Sequence, residues 1–388
     1  MNADLNFDDI RPYNDSEVAS VLESLLYDQE FLWAIKSLRL AWLPDVLFPL
    51  VRPLLRARLR KYTAGIKTVT DFQAKVDSYL DRSMKQTTDR VRYLGRENLV
   101  TGQQYLFISN HRDIVLDPAL CNAGVYHIGR KTSRIAIGDN LLTKPFAEYL
   151  MRINKSFIVK RALDNGKQWL REMKKLSSYV RNSLTQDEEC VWIAQREGRA
   201  KDGIDATDPA LIKMLMLSKP KTQCFSDAVR ELNILPVAVS YEWDPCDLAK
   251  ARELAAKQAE GEYQKTEHED IESIASSIQG YKGRVDLKFG EALVGDFDSP
   301  EEVAAAVDDQ ILKMYQIQPS HIAAYKKLYK LDSSYLTEKY SDEELLFAAK
   351  ELEKRASELN EVEAGILITT YANPVVSRLK LMENGVTR

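Results

Sequence analysis

Residues 108–118, ISNHRDIVLDP, set the histidine His111 two positions before Asp113 and six before Asp117. An imidazole beside a carboxylate is a general-base pair. The carboxylate accepts from one ring nitrogen and fixes the tautomer in which the other takes a proton from a hydroxyl. Three more stretches carry groups that could meet an anion. SFIVKR, 156–161, ends an apolar run with Lys160 and Arg161 side by side, a cationic pair able to hold a phosphate. QREGRAKDG, 195–203, combines Glu197 and Gly198 with Arg196, Arg199 and Lys201, a loop whose backbone and side chains could both face an anion. ILPVAVSYE, 234–242, opens an apolar run with Pro236. Taken singly, each stretch has an ordinary reading: a loop histidine bonded for structure, lysine and arginine solvated at a strand end, a glutamate bonding its own turn.

HRD is also how a protein-kinase catalytic loop begins. That loop needs an Asn five residues after its Asp, and Pro118 stands there. No G-x-G-x-x-G loop lies upstream and no D-F-G follows, the nearest string being GDFDSP at 295–300. The kinase reading fails for want of every partner its chemistry requires.

The elements that must position these groups follow from periodicity. Six short apolar runs read as strands, at 104–110, 134–138, 155–161, 189–195, 233–241 and 284–293, with stretches of helical length between them. Strands alternating with helices predict an α/β sheet covered on both faces by helices, with functional groups on the loops at the strand ends. Residues 1–85 are expected to form a helical N-terminal domain, 86–330 the α/β catalytic domain and 331–388 a helical C-terminal extension. The charged stretch 247–280 reads as a helical excursion between the last two strands, and SDEELLFAAKELEKRASELN, 341–360, as an amphipathic helix with a Ser cap and acidic first turn.

Composition narrows the class. With 45% hydrophobic and 29% charged residues and a net charge of −4, the chain reads as globular and as no general binder of nucleic acid. Four scattered cysteines with no C-x-x-C indicate neither a zinc site nor a disulfide framework, and no metal is called for. A reducing, cytoplasmic compartment is expected, and the acidic opening MNADLNFDDIRPYNDSE does not resemble a secretion signal. No apolar run reaches the length of about 18 residues that a spanning helix needs. Residues 40–62 come nearest, broken by Pro44, Pro49, Pro53 and Asp45; from Lys36 to Lys61 seven basic residues face one acid, and Trp33, Trp42 and Phe48 add aromatic mass. Such a segment suits an anionic membrane interface, or else forms a helical hairpin packed on the main domain.

Together and in order, NHRDIVLD, FIVKR, REGRAKDG and LPVAVSYE resemble the four blocks of the glycerolipid acyltransferase superfamily. The resemblance continues in DATDPALIKMLM and VDLKFGEAL, covers roughly 86–300, and is nearest to the glycerol-3-phosphate acyltransferase branch, while SNH…DPA is also similar to soluble plastid enzymes with an N-terminal helical domain. One departure stands out: the family spaces its His and Asp by four residues, and five separate His111 from Asp117. Asp117, followed by Pro118, fits the family context, whereas Asp113 at i+2 suits a cap on backbone N–H groups.

The resemblance implies an acyltransferase that moves a fatty acyl group from acyl carrier protein or coenzyme A to the hydroxyl of glycerol-3-phosphate in phospholipid biosynthesis, without a further cofactor. It implies His111 as base, Asp117 (or Asp113) as its orienter, and Lys160, Arg161, Glu197, Gly198, Arg199 and Lys201 about the acceptor and its phosphate. An α/β fold with a mixed central sheet flanked by helices, and a peripheral site at the inner membrane face, go with that resemblance. Two alternatives remain: a 1-acylglycerol-3-phosphate or other lysolipid as acceptor, and a catalytically silent module that binds membrane or carrier protein.

Overall fold

The computed structural model describes residues 6–40, 42–161, 165–264, 269–329 and 339–386. The chain divides into two compact units, Met1–Asp81 with Ser133–Tyr179, and Arg82–Thr132 with Val180–Arg388. The boundary expected at 85/86 stands near the Asp81–Arg82 division, and the one expected at 330/331 lies outside the described residues.

The first unit holds α1 (Val18–Tyr27), α2 (Gln29–Arg39), α3 (Phe48–Thr63), most of α4 (Val69–Thr87), β3 (Arg134–Gly138), α6 (Pro145–Ile153), β4 (Ser156–Val159) and most of α7 (Gly166–Thr185). β3 and β4 pair in parallel, Ile135 opposite Ser156 through Gly138 opposite Val159. The N-terminal segment is stitched to them. The Ile158 N–H donates to the Ile10 carbonyl at 2.9 Å, and Arg152 donates to the carbonyls of Asp8 and Arg11 at 2.7 and 2.9 Å with its guanidinium over the Tyr13 ring. Such bonds place 133–179 with the N-terminal helices.

α2 and α3 form a hairpin. Buried Lys36 reaches across to Asp45 at 2.6 Å, and Arg56 lies over the Tyr27 ring while donating to the Leu26 carbonyl at 3.0 Å. Pro49 sits in the first turn of α3, where the missing N–H has no partner to lose. The apolar residues at the start of α3 turn outward: Trp42 is 78% exposed, Val46 80%, Leu50 76% and Leu54 71%.

The second unit carries β1 (Arg90–Leu94), β2 (Leu106–Ser109), β5 (Val191–Ala194), β6 (Ile234–Tyr241) and β7 (Arg284–Phe289), ordered β1-β7-β6-β2-β5. β2 runs parallel to both β5 and β6, β6 is antiparallel to β7, and β7 is parallel to β1, so the sheet is mixed, as expected. β1 was missed in the sequence because RVRYL, with three polar or aromatic residues half exposed at a sheet edge, does not read as an apolar run. β2 and β6 are buried along their whole length, the pattern of strands covered on both faces.

Around this sheet lie α5 (Leu116–Tyr126), α8 (Pro209–Leu215), α9 (Phe225–Leu232), α10 (Asp247–Glu260), α11 (Glu269–Gln279), α12 (Pro300–Met314), α13 (Pro319–Tyr329), α14 (Asp342–Ala356) and α15 (Glu361–Val386). α14 begins with the expected device, Ser341 and Glu344 capping one another's backbone. The C-terminal helices pack within this unit. Leu352 of α14 and Leu367, Tyr371 and Val375 of α15 pack with Trp243, Ala251 and Tyr325 in one apolar cluster, and Arg355 and Tyr371 both bond the buried Asp247 Oδ2, at 2.8 and 2.7 Å.

Candidate active site

β2 ends at Ser109, and the next side chain clamps the exit of the strand. Asn110 Nδ2 donates to the Val239 carbonyl at 2.9 Å while its Oδ1 accepts the Val239 N–H at 2.8 Å, which prolongs the β2–β6 pairing through a side chain. His111 follows directly. Its Nδ1 lies 2.8 Å from Oδ2 of Asp117, in the first turn of α5.

Asp117 has no exposed surface, and every donor it meets is accounted for. Oδ2 also accepts the N–H groups of Arg112 at 2.6 Å and Asp113 at 2.8 Å, and Oδ1 accepts the Tyr241 hydroxyl at 2.8 Å. An oxygen already accepting two backbone N–H groups is an acceptor toward the imidazole as well. His111 therefore donates through Nδ1 and keeps the lone pair of Nε2. The ring packs edge-on against Trp192, with centroids 5.7 Å apart, and the His111 carbonyl accepts the Ala200 N–H at 2.7 Å. With 15% of its side chain exposed, His111 is reachable where Asp117 is not.

Asp113 does something else. Its Oδ1 accepts the N–H groups of Val115 at 2.9 Å and Leu116 at 2.8 Å, closing the turn that leads into α5. That turn takes up the one residue by which the His111–Asp117 spacing exceeds four. Burial, reinforced by the Asp117 charge, pushes the Asp113 carboxyl up from its ordinary value.

Arg112 follows the histidine yet turns away from it. Nη2 bonds Asp205 Oδ2 at 2.6 Å and the Gly203 carbonyl at 2.9 Å, the guanidinium lies 5.4 Å from the Tyr315 ring centroid, and Lys250 Nζ donates to the Arg112 carbonyl at 2.6 Å. Asp205 also accepts from Asn110 Nδ2 at 3.3 Å. One carboxylate thus grips both flanks of His111.

The loop after β5 is shaped by two glycines with positive φ, Gly198 at +76° and Gly203 at +79°. A Cβ on Gly203 would drive into the Thr370 carbonyl of α15, so that position takes glycine for space as well as for φ. Asn373 of α15 donates to the Asp202 carbonyl at 2.7 Å and holds the same loop. Among its cations, Arg196 donates to the Ile204 carbonyl at 3.0 Å, and Lys201 is ion-paired with Glu253, its ammonium pushed below the usual range by burial. Arg199 is half-buried, and its buried Nη1 has no hydrogen-bond partner among the described residues. Glu197 and Gly198 are exposed.

Lys160 and Arg161 belong to the other unit. Lys160 Nζ pairs with Asp9 at 2.6 Å and Glu172 at 3.0 Å, so acids of its own unit balance the charge expected for a phosphate. The Arg161 backbone N–H faces Asp139, and its guanidinium packs over Gly138, where a Cβ would collide with it. Among the described residues no group of three or more His, Cys, Asp or Glu is placed to hold a metal ion. A recess of about 700 Å³ lined by Tyr93, Arg96 and Lys288 lies at the opposite end of the strands from His111.

Sequence reasoning left Asn110, Asp205, Tyr241 and Lys250 outside the site. Tyr241 comes to Asp117, and Asp205 and Lys250 to the neighbours of His111, across 90 or more residues of chain, while Asn110 acts by a side-chain bond to the backbone of Val239; neither leaves a local pattern.

His321, also of this unit, is buried where His111 is partly exposed. Its Nδ1 accepts the Gln318 N–H at 3.0 Å, and burial, then Arg112, pushes it down to about 3 from 6.5. Between those values the unfolded chain binds a proton that the folded chain does not. Stability from this group is therefore complete above about pH 6.5 and is lost as pH falls toward 3. Urea unfolding of His321→Asn across that range should show a flatter acid limb than the parent, by up to about 1.4 kcal/mol per pH unit; parallel curves would contradict the assignment.

Residues 90–240 match the family model described as Acyltransferase. A search of curated proteins finds no match. Among solved structures the chain is similar to the 1-acyl-sn-glycerophosphate acyltransferase PlsC from Thermotoga maritima, at 18% identity and a TM-score of 0.38, over 76% of this chain and 94% of that one.

Proposed function

We propose, from the premise that residues 90–240 of this chain form an acyltransferase-family domain, that the protein transfers a fatty acyl group from a coenzyme A or acyl-carrier-protein thioester to the hydroxyl of glycerol-3-phosphate. The observation that carries the reading is the His111–Asp117 pair, at 2.8 Å with Nε2 left as the basic nitrogen. A 1-acylglycerol-3-phosphate acceptor would use the same chemistry.

In this mechanism Nε2 takes the hydroxyl proton as the acceptor oxygen attacks the thioester carbonyl. The carbon–sulfur bond then breaks, and the imidazolium, held by Asp117, returns the proton to the departing thiolate. The products are an ester and a free thiol, and general-base help of this kind contributes about 10²–10⁴ in rate. Arg199 is the cation we assign to the acceptor phosphate, since its Nη1 is a buried, charged donor without a hydrogen-bond partner among the described residues, on the loop that bonds the His111 carbonyl. Glu197 and Gly198 shape that loop.

Acyl transfer from a labelled palmitoyl thioester to both glycerol phosphates, in parallel, tests the assignment. His111→Ala should lower kcat by about 10²–10⁴, and Arg199→Gln should raise KM for the acceptor about tenfold or more with kcat much less affected. A His111→Ala variant that keeps the parent rate would sink the reading in favour of a silent binding module.

No helix among the described residues is long and apolar enough to cross a membrane. We propose interfacial contact through the α2–α3 hairpin, because Trp42, Val46, Leu50 and Leu54 present apolar surface ahead of the exposed cations Arg58 and Lys61. The double change Leu50→Glu with Leu54→Glu should cut co-sedimentation with anionic vesicles at least about tenfold while circular dichroism stays unchanged. Undiminished co-sedimentation would exclude the hairpin as the contact.

A further inference from the structure

We infer that Tyr241 is a positioning residue for the His111–Asp117 pair: its hydroxyl holds Asp117 Oδ1, setting the carboxylate's orientation and the share of its charge that the imidazole meets. The inference rests on the acyl-transfer reading for its kinetic consequence only.

Tyr241 is the last residue of β6, paired with Val285 of β7. Its neighbours serve other partners: Ser240 Oγ accepts the Gln316 N–H at 2.8 Å, and Glu242 accepts the Arg284 N–H at 3.0 Å. The phenol alone turns toward α5. It reaches Asp117 Oδ1 at 2.8 Å and is 4% exposed. Its titration is pushed well above 10, first by burial and then by the Asp117 charge, so it stays protonated and acts as a donor throughout the working pH range.

Without that donor, Oδ1 would be a buried carboxylate oxygen bonded to nothing. The carboxylate would be pinned on one side only, free to rotate about its bond, and the charge no longer shared with the phenol would fall on Oδ2 and the imidazole. Tyr241 thus moderates how strongly Asp117 favours the imidazolium, and it fixes the plane in which Nδ1–H is received. Other charges face the same pocket and belong to any account of its pH dependence. Asp113 precedes α5 and Asp244 follows β6, both within the field of the phenol; Lys282 and Cys246 stand beside Asp113; Lys250 is paired with Asp244.

The experiment uses the full chain with Tyr241→Phe. Expected are a fall in kcat of about tenfold to a hundredfold, KM for donor and acceptor within about twofold, and an acid limb of the kcat/KM profile moved to higher pH. A second substitution, difluorotyrosine in place of Tyr241, keeps the shape and strengthens the donor, and should move the acid limb to lower pH. It covers the case in which the phenylalanine variant does not fold. Nitrogen-15 NMR titration of the His111 ring without substrate, assigned with His111→Gln, reads the same two opposite displacements in the resting protein. Absence of acyl transfer in the parent chain would therefore remove the functional reading and leave this one to be judged by NMR. Coincident pH profiles and ring titrations in parent, phenylalanine and fluorotyrosine proteins would overturn the inference, as would a loss confined to KM.

Discussion

A carboxylate with no exposed surface governs the organisation of the second unit. Asp117 at 0% exposure is expensive to ionise unless each lone pair finds a donor. Two donors are backbone N–H groups of the turn leading into its own helix, one is the imidazole, and one is a phenol from the far end of β6. To bring that phenol within 2.8 Å, β6 must lie beside β2, and the Asn110 side chain, bonding both polar groups of Val239, keeps the two strands in step just where β2 ends. The register of the sheet and the state of the histidine are thus one constraint seen from two sides.

The same economy shows in the shell behind His111. Asp205 holds Asn110 and Arg112, Arg112 holds the Gly203 carbonyl, Ala200 holds the His111 carbonyl, and α15 holds the loop between them through Asn373 and Thr370. None of these contacts touches a reacting atom. They keep the loop that carries Arg199 at a set distance from His111, which on the proposed reading is the geometric demand of transfer between two bound substrates. Because α15 shares its apolar cluster with Trp243, two residues beyond Tyr241, the C-terminal helices belong to the functional unit.

Much of this was legible in the sequence, and the boundary of legibility is physical. Strands buried on both faces announce themselves as apolar runs, so β2 to β7 could be placed; β1, with Arg90, Arg92 and Tyr93 at a sheet edge, could not. A histidine and an aspartate six residues apart, at a strand end and a helix start, suggest a pair because the turn between them is short. Between Asp113 and Asp117 the sequence, with its family resemblance, favoured the second and left the first open, because a residue at i+2 and one in the first turn do different work. Tyr241, Asp205 and Lys250 left no such trace, since their roles depend on which strand lies next to which. Division into units was hidden for the same reason: β3 and β4 read as further strands of one domain, while the bond of β4 to Ile10 and those of Arg152 in α6 to Asp8 and Arg11 attach this segment to the N-terminal one.

Charges in a row are the least informative signal, because a sequence shows cations without their partners. Lys160 and Lys201 are each held by acids, Asp9 and Glu172 for one and Glu253 for the other. An incoming phosphate that recruited Lys201 would first have to separate it from Glu253, which is 5% exposed and would then be held by Lys257 at 2.8 Å. Arg199 asks for no such exchange, since its Nη1 is already out of water and has no hydrogen-bond partner among the described residues. An anion reaching it would give that donor a partner, which is why the proposed reading sets the acceptor phosphate at the arginine and not at the lysine two residues on.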